Sequence, residues 1–304
     1  MLLQANRQAT DSVPARILLT HTIELYHAMN EYLLKQPLRY WWLTALLIAI
    51  NCGLLGWQVL SGVSATDPSV ADLIGWGADF APLTLTNENW RLLSSMFLHI
   101  GVVHLLLNMW GLYLLGVYAE FYYGRFWYVI IYLLAGLAGN LASNYVSLHN
   151  ALSFSNTAIL QASSSLNNSL TNSLIPSVSA GASGAIMGVC GALLVAALWP
   201  KRDIEAKYLL NKNALLILTL LNLGIGIFVG GINSMAHLGG FVGGLILALG
   251  YLLSQHFPSV GKYTLQLGWI ACSAAVLMYV DFWLMQHAKS LMHFWSIYLM
   301  QFKQ

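Results

Sequence analysis

Charged side chains are scarce in this sequence: they make up only 8% of its 304 residues, whereas hydrophobic residues make up 58%. Soluble globular domains carry about 25% charged residues. The low charge and a mean hydropathy of +0.66 exclude an ordinary water-soluble domain. Because helices satisfy their own backbone hydrogen bonds in lipid, the sequence predicts an all-α protein that crosses a membrane several times.

Cysteine is also rare. The chain has three cysteines, which lie far apart in predicted spans and form no Cys-x-x-Cys pair: Cys52, Cys190 and Cys272. This pattern is typical of packing residues rather than of disulfides or metal ligands. We therefore expect neither a metal ion nor another cofactor.

Seven apolar windows are long enough to cross a hydrocarbon layer of about 30 Å. They lie near residues 41–60, 98–119, 127–147, 180–199, 213–231, 233–254 and 265–286. Lys and Arg collect on the cytoplasmic side of membranes and so indicate the orientation. With the N-terminus inside, only Arg91, Lys289 and Lys303 of the 13 basic residues lie outside. This bias also accounts for the net charge of +2, so no nucleic-acid partner is expected.

The segments around the spans differ in composition. Residues 1–40 are predicted to be a cytoplasmic segment, and residues 256–304 the seventh span and a C-terminal tail. The outer loop 61–97 holds several aromatic residues and is predicted to lie partly in the membrane interface. The outer loop 148–179 is rich in Ser and Asn and is predicted to be a flexible insertion. Acidic residues near the N-terminus argue against a mitochondrial transit peptide, so a bacterial inner membrane is the predicted location.

Three polar residues share a predicted depth in the membrane. The second, fourth and sixth spans all run from outside to inside, so their N-terminal ends lie at one level. His104, Ser183 and His237 each fall within about two turns of such an end, roughly 5–10 Å below the outer surface. Polar groups inside a membrane are costly and tend to mark function. These residues are therefore candidates for one site.

Ser183 and His237 are predicted to form a catalytic dyad. A serine hydroxyl becomes a good nucleophile when a neutral histidine takes its proton. No acid is placed to complete a triad, because Glu120 lies about 18 Å along its helix from Asn108 and Asp281 sits near the opposite side of the last span. The serine and the histidine each also have a purely structural interpretation. Gly-x-Ser-Gly is common in helix interfaces, and buried histidines often bind a backbone carbonyl.

The reaction also needs hydrogen-bond donors for the oxyanion of its tetrahedral intermediate. His104 and Asn108 are four residues apart, share one helix face and can both donate. His99 lies about 140° around a helix from His104 and is not expected to share the site. The glycines Gly240 and Gly244 follow His237 and can bring its helix close to a neighbour.

In this order, the motifs resemble the rhomboid family of intramembrane serine proteases. The match covers about 90–250 and implies a six-helix catalytic core, here 41–255, followed by a seventh helix outside it. It implies that Ser183 is the nucleophile, that His237 is the base and that His104 and Asn108 line the oxyanion hole. The remaining matching residues include Trp90, Arg91, His99, Glu120, Gly124, Gly136, Gly139, Asn140, Gly181, Gly184, Gly240 and Gly244.

One position departs from the family pattern. Four residues after the nucleophile the family often has an aromatic ring that packs on the catalytic histidine, whereas this chain has Met187. Methionine is also large and polarizable, so we expect packing to persist without ring stacking.

The resemblance implies an endopeptidase that cleaves transmembrane segments of single-pass proteins near the outer bilayer face through an acyl-enzyme. Its expected partners are those substrates and the lipid bilayer. Two alternatives stay open at this point. A rhomboid-like pseudoprotease would bind such segments without cutting, although these proteins usually lose the serine or the histidine. A transporter or redox protein could use the histidines as ligands, but they lack the paired spacing for haem.

Overall fold

The computed structural model describes residues 33–160, 178–201, 204, 209–228, 233–293 and 295–296. This part is helical, as the hydropathy predicted, and its one β-type contact is an isolated antiparallel bridge between Asp79 and Ser179. Most of the predicted cytoplasmic segment and most of the Ser/Asn-rich segment lie outside the described residues.

Nine α-helices occur within the described ranges. They are α1 Trp42–Leu60, α2 Val70–Gly75, α3 Ala81–Thr84, α4 Arg91–Ser94, α5 Val102–Leu160, α6 Ser183–Leu198, α7 Lys212–Phe228, α8 Ser234–Ser254 and α9 Ser259–Ala288. By length and composition, four stretches there could cross a membrane: α1, most of α5, α8, and α9 with its short extension. Helices α6 and α7 are apolar but shorter.

Two predicted spans belong to the single long helix α5. Its 59 residues would reach roughly 90 Å if straight, about three times the thickness of the hydrocarbon layer. The helix is interrupted at Gly124, whose φ of 75° and ψ of 162° are not helical. Glycine adopts positive φ without a steric penalty, so the chain changes direction here.

Helix α5 also extends further than its composition suggests. It continues to residue 160, so the prediction of a loop beginning at 148 is wrong for its first part. Leu148 and Ala151 are buried in an apolar cluster with Leu284 of α9. Burial of an apolar face stabilises a helix more than intrinsic propensity does, which explains why a Ser/Asn-rich segment is helical here.

Glu120 joins the middle of α5 to the start of α1. Its buried carboxylate accepts hydrogen bonds from Leu43 N at 3.2 Å, Thr44 N at 2.8 Å and Thr44 Oγ1 at 2.9 Å. The first N–H groups of a helix lack partners within it and favour negative charge. Glu120 therefore caps α1 from another helix, and Arg125 Nε lies 3.6 Å from the same carboxylate.

The centre of the fold is the contact of α6 with α8, against which α5 packs. A Cβ atom added to Gly240 would collide with the carbonyl oxygen of Gly184, and one added to Gly244 would collide with that of Gly188. The two backbones therefore touch directly, which is how membrane helices associate when lipid provides no hydrophobic drive.

We expect Gly240→Ala to destabilise the protein, because the new methyl group must push two backbones apart. Overpacking of this kind costs about 1–3 kcal/mol, and rigid backbone neighbours favour the upper end. Gly56→Ala is the matched control, since a Cβ at Gly56 in α1 meets nothing within 4 Å. Equal unfolding midpoints in detergent for the two variants would contradict this interpretation.

Candidate active site

Ser183 is the first residue of α6, and the chain leading into it is tightly constrained. Gly181 has a φ of +144°, and a Cβ there would lie 2.7 Å from His104 Cε1 and 3.1 Å from His104 Nε2. Both conformation and space therefore require glycine at this position. The same contacts place His104 beside the segment that carries the serine.

His237 lies in the first turn of α8. Asn233 caps this helix, with its Oδ1 accepting from Ala236 N at 3.0 Å. The buried His237 ring has Nδ1 3.4 Å from the carbonyl oxygen of Asn222 in α7. Because a carbonyl can only accept, this contact favours the tautomer with the proton on Nδ1. In that tautomer Nε2 keeps its lone pair, as a general base requires.

The starts of α6 and α8 face each other at the level of Ser183. A Cβ on Gly184 would lie 3.3 Å from Ala236 O, and Gly240 contacts the Gly184 carbonyl directly. Among the described residues, Ser183 Oγ and the His237 ring are not hydrogen bonded to each other. The two side chains must therefore approach each other before proton transfer, as is common for catalytic pairs without substrate.

His104 and Asn108 lie on one face of α5. Asn108 Nδ2 donates to the carbonyl oxygen of His104 at 3.0 Å, and Ile100 N donates to His104 Nδ1 at 3.4 Å. Since Nδ1 accepts, the proton of the neutral ring is on Nε2, next to Gly181. The Asn108 amide lies on the same side, with Nδ2 3.7 Å from the position of a Gly181 Cβ. Two donors thus flank the chain just before Ser183.

The prediction that His99 stands apart from this group is wrong. Its ring packs against that of His104, with centroids 5.3 Å apart. The helical-angle argument fails because His99 precedes α5, in a turn that ends at Gly101 with a φ of +87°. Glycine three residues before His104 was the available signal that the helix starts later.

The remaining predicted residues have different surroundings. Met187 is buried one turn after Ser183, and its packing against His237 stays a prediction. Glu120 binds the start of α1, as described above. The carboxylate of Asp281 contacts Asn89 Nδ2 of the outer loop at 3.4 Å, so the prediction that Asp281 sits near the opposite side of the last span is wrong. In the ranges described, no three His, Cys, Asp or Glu side chains form a group that could hold a metal.

Arg91 joins the parts of the outer loop. Its Nη1 donates to Ile74 O at 2.7 Å and to Ala78 O at 3.1 Å, and its Nη2 lies 2.6 Å from the Glu88 carboxylate. The guanidinium also covers the Trp90 ring at 4.8 Å. These contacts connect α4 with the end of α2.

Asp79 is a buried loop carboxylate that the sequence argument did not single out. Its Oδ1 accepts from Thr84 Oγ1 at 2.6 Å, and both its oxygens accept from Asn144 Nδ2, at 3.1 and 3.2 Å. Burial raises the pKa of this carboxyl to about 6, although these hydrogen bonds and the nearby Arg91 act in the opposite direction.

Comparison with known proteins identifies the family. The family model of the Rhomboid domain matches residues 86–256, more than half of the chain. Rhomboid protease AarA of Providencia stuartii is 29% identical over 246 residues, which cover 78% of this chain and 81% of that protein. Rhomboid protease GluP of Bacillus subtilis (strain 168) is 33% identical over 176 residues, 58% of this chain and 29% of GluP. RHOMBOID-like protein 4 of Arabidopsis thaliana is 30% identical over 186 residues, 61% and 40% of the two chains.

These matches place the protein in the class of serine-type intramembrane endopeptidases. The chain belongs to the rhomboid family. Together with the apolar helices, this makes it an integral multi-pass membrane protein. The aligned part spans less than half the length of GluP and of the Arabidopsis protein, but most of AarA.

We expect Arg91→Ala to lower stability by about 2–3 kcal/mol or more, because it leaves two loop carbonyls and a carboxylate without their donor. Arg39→Ala is the control, since that arginine is exposed and makes only a weak contact with Tyr40. Thermal unfolding in detergent measures both. If Arg91→Ala unfolds at the same temperature as Arg39→Ala, Arg91 does not stabilise the outer loop.

The raised pKa of Asp79 predicts a specific pH dependence of the free energy of unfolding. Its pKa is raised in the folded chain, so the carboxyl favours folding fully below about pH 4, and this contribution is lost as the pH rises through about 6. A shift of about two pKa units corresponds to about 3 kcal/mol. The stability of the wild type relative to Asp79→Asn should therefore fall by about this amount from pH 4 to pH 7. A difference that stays constant over this interval would contradict the prediction.

Proposed function

We propose that this chain hydrolyses peptide bonds in transmembrane segments of single-pass proteins, with Ser183 and His237 as the catalytic dyad. The observation that carries the proposal is the contact of His237 Nδ1 with the Asn222 carbonyl. It favours the tautomer whose Nε2 can accept a proton, on a helix in backbone contact with the helix that Ser183 starts. Family membership supports the same chemistry.

In the proposed reaction, Ser183 Oγ attacks the carbonyl carbon of the scissile bond while His237 Nε2 takes the hydroxyl proton. His104 Nε2–H and Asn108 Nδ2–H donate to the resulting oxyanion, and such donors are worth about 3–4 kcal/mol each. Collapse of the intermediate breaks the C–N bond, and the imidazolium gives its proton to the leaving amine. His237 then deprotonates a water molecule, whose oxygen attacks the acyl carbon. The ester bond to Ser183 Oγ breaks, and the imidazolium returns its proton to that oxygen, which releases the acid product and restores the dyad.

We propose seven spans, a cytoplasmic N-terminus and a bacterial inner membrane, with residues 41–255 as a six-helix core. The break at Gly124 supports the count, because each arm of α5 then has enough residues for one crossing. Helix α6 has 16 residues, about 24 Å by helical rise, and is shorter than the hydrocarbon layer. Its first residue, Ser183, can therefore lie below the outer surface.

The surroundings of Ser183 favour substrates with small side chains at the cut residue. Gly181 and His104 are already in close contact, and the neighbouring positions are Ala182 and Gly184. A substrate helix must also unwind locally, because a helical backbone shields its carbonyl groups. Small residues ease both requirements, since they need little space and helix-breaking glycine is among them.

The dyad is tested with a model single-pass substrate in lipid vesicles. We expect Ser183→Ala and His237→Ala each to lower cleavage by about 1,000-fold or more, because the two residues act as one unit. Ser259→Ala and His256→Ala are the matched controls, since both residues are exposed near the other end of α8. A fluorophosphonate should label Ser183 in the wild type and should not label it in His237→Ala.

Two outcomes would count against this function. The dyad assignment is wrong if both variants yield the wild-type product at the wild-type rate. If the wild type cuts no substrate and Ser183 is not labelled, the chain binds transmembrane segments without cutting them.

A further inference from the structure

The segment that leads into Ser183 is held at two points by the outer loop. Ser179 and Asp79 exchange backbone hydrogen bonds, with N···O distances of 2.8 and 2.9 Å. Gly181 N donates to Ser95 O at 2.9 Å. The position of Ser183 therefore depends on where Asp79 and Ser95 lie.

Both of these loop residues are held in turn by asparagines of α5. Asn144 Nδ2 donates to the two carboxylate oxygens of Asp79, and Asn140 Nδ2 donates to Ser95 Oγ at 3.0 Å. Asn140 Nδ2 also donates to Leu92 O at 2.7 Å. The two asparagines are buried and four residues apart, so they project from one face of α5.

A neighbouring face of the same stretch of α5 reaches the helix of the histidine. Ser143 Oγ accepts a hydrogen bond from Asn233 Nδ2, and Asn233 caps α8 through Ala236 N. A Cβ added to Gly139 would lie 2.5 Å from Ala236 O, so α5 and α8 are in close contact one turn earlier. One stretch of α5 thus contacts the supports of both proposed catalytic residues.

We propose that Asn140 and Asn144 are positioning residues, which set the location of Ser183 relative to His237 through Ser95 and Asp79. The proposal rests on the proposed function, since it concerns the placement of Ser183 as nucleophile. Hydrogen bonds in a buried apolar setting hold their partners firmly, because a buried polar group without a partner is costly. A displacement of about 1 Å at a reacting group can cost about 100-fold in rate.

In the hydrogen bond between Asn144 and Asp79, the donor and the acceptor can be exchanged by mutation. Thr84 and Asn144 both donate to Asp79, so the acceptor belongs to the loop and the donor to α5. The other charged groups that act on Asp79 are Arg91 and Asp281. Asn144→Asp alone would place two carboxyl groups in contact. The double change Asp79→Asn with Asn144→Asp restores one carboxyl and one amide in the opposite order.

The test compares kcat and KM of wild type, Asn144→Asp and the double variant at pH 7.5, at a temperature at which thermal unfolding shows all of them folded. We expect Asn144→Asp to lower kcat about tenfold or more and to change KM less than about threefold, because the nucleophile moves while substrate contacts persist. The double variant should recover kcat to within about threefold of wild type. Asn150→Asp, an exposed change on the same helix, should match wild type.

The proposal is overturned if Asn144→Asp cleaves like Asn150→Asp, if the loss is in KM rather than kcat, or if the double variant folds without recovering kcat. Should Asn144→Asp not fold, Asn144→Gln keeps the donor but displaces it by one methylene, and its kcat should fall with KM unchanged. A wild-type kcat for that folded variant also overturns the proposal. A wild type that neither cleaves nor labels at Ser183 refutes the proposed function instead.

Discussion

The direct contact between the backbones of α6 and α8 is the constraint on which the rest of the structure depends. Gly184 meets Gly240, and Gly188 meets Gly244 one turn further on. Any larger side chain at the two α8 glycines would separate the helices, because the atoms it would meet belong to the backbone. Ser183 and His237 lie at the start of this contact, so the packing that stabilises the fold also brings the two functional helices together.

Polar residues in this apolar chain join elements that hydrophobic packing alone would leave free to slide. Glu120 connects α5 with the start of α1, Arg91 connects α4 with the end of α2, and Asn144 connects α5 with the outer loop. Each is buried and has hydrogen-bond partners. In surroundings where an unsatisfied polar group is costly, such contacts specify a single arrangement of the helices and the outer loop.

The fold and the candidate site were predictable to different extents. The helices follow from hydropathy, because the length of an apolar run is a local property of the chain. The common face of His104 and Asn108 follows from helical periodicity and is seen in the structure. In contrast, the start of α5 at Val102 depends on the positive φ of Gly101, and its continuation beyond residue 148 depends on the packing of Leu148 and Ala151 against α9. The predictions for His99 and for the loop after 148 failed for these reasons.

The sequence by itself determined that the chain is helical and apolar and made one serine and two histidines candidates for one site, because residue type and position within an apolar run are local properties of the chain. Only the tertiary structure decided the tautomer-setting partner of His237, the contact of Gly181 with His104, and the pairing of Asp79 with Ser179. The last of these joins residues 100 positions apart in the chain. No local pattern encodes such pairs, because they arise when separate helices pack and leave each buried polar group to find a partner.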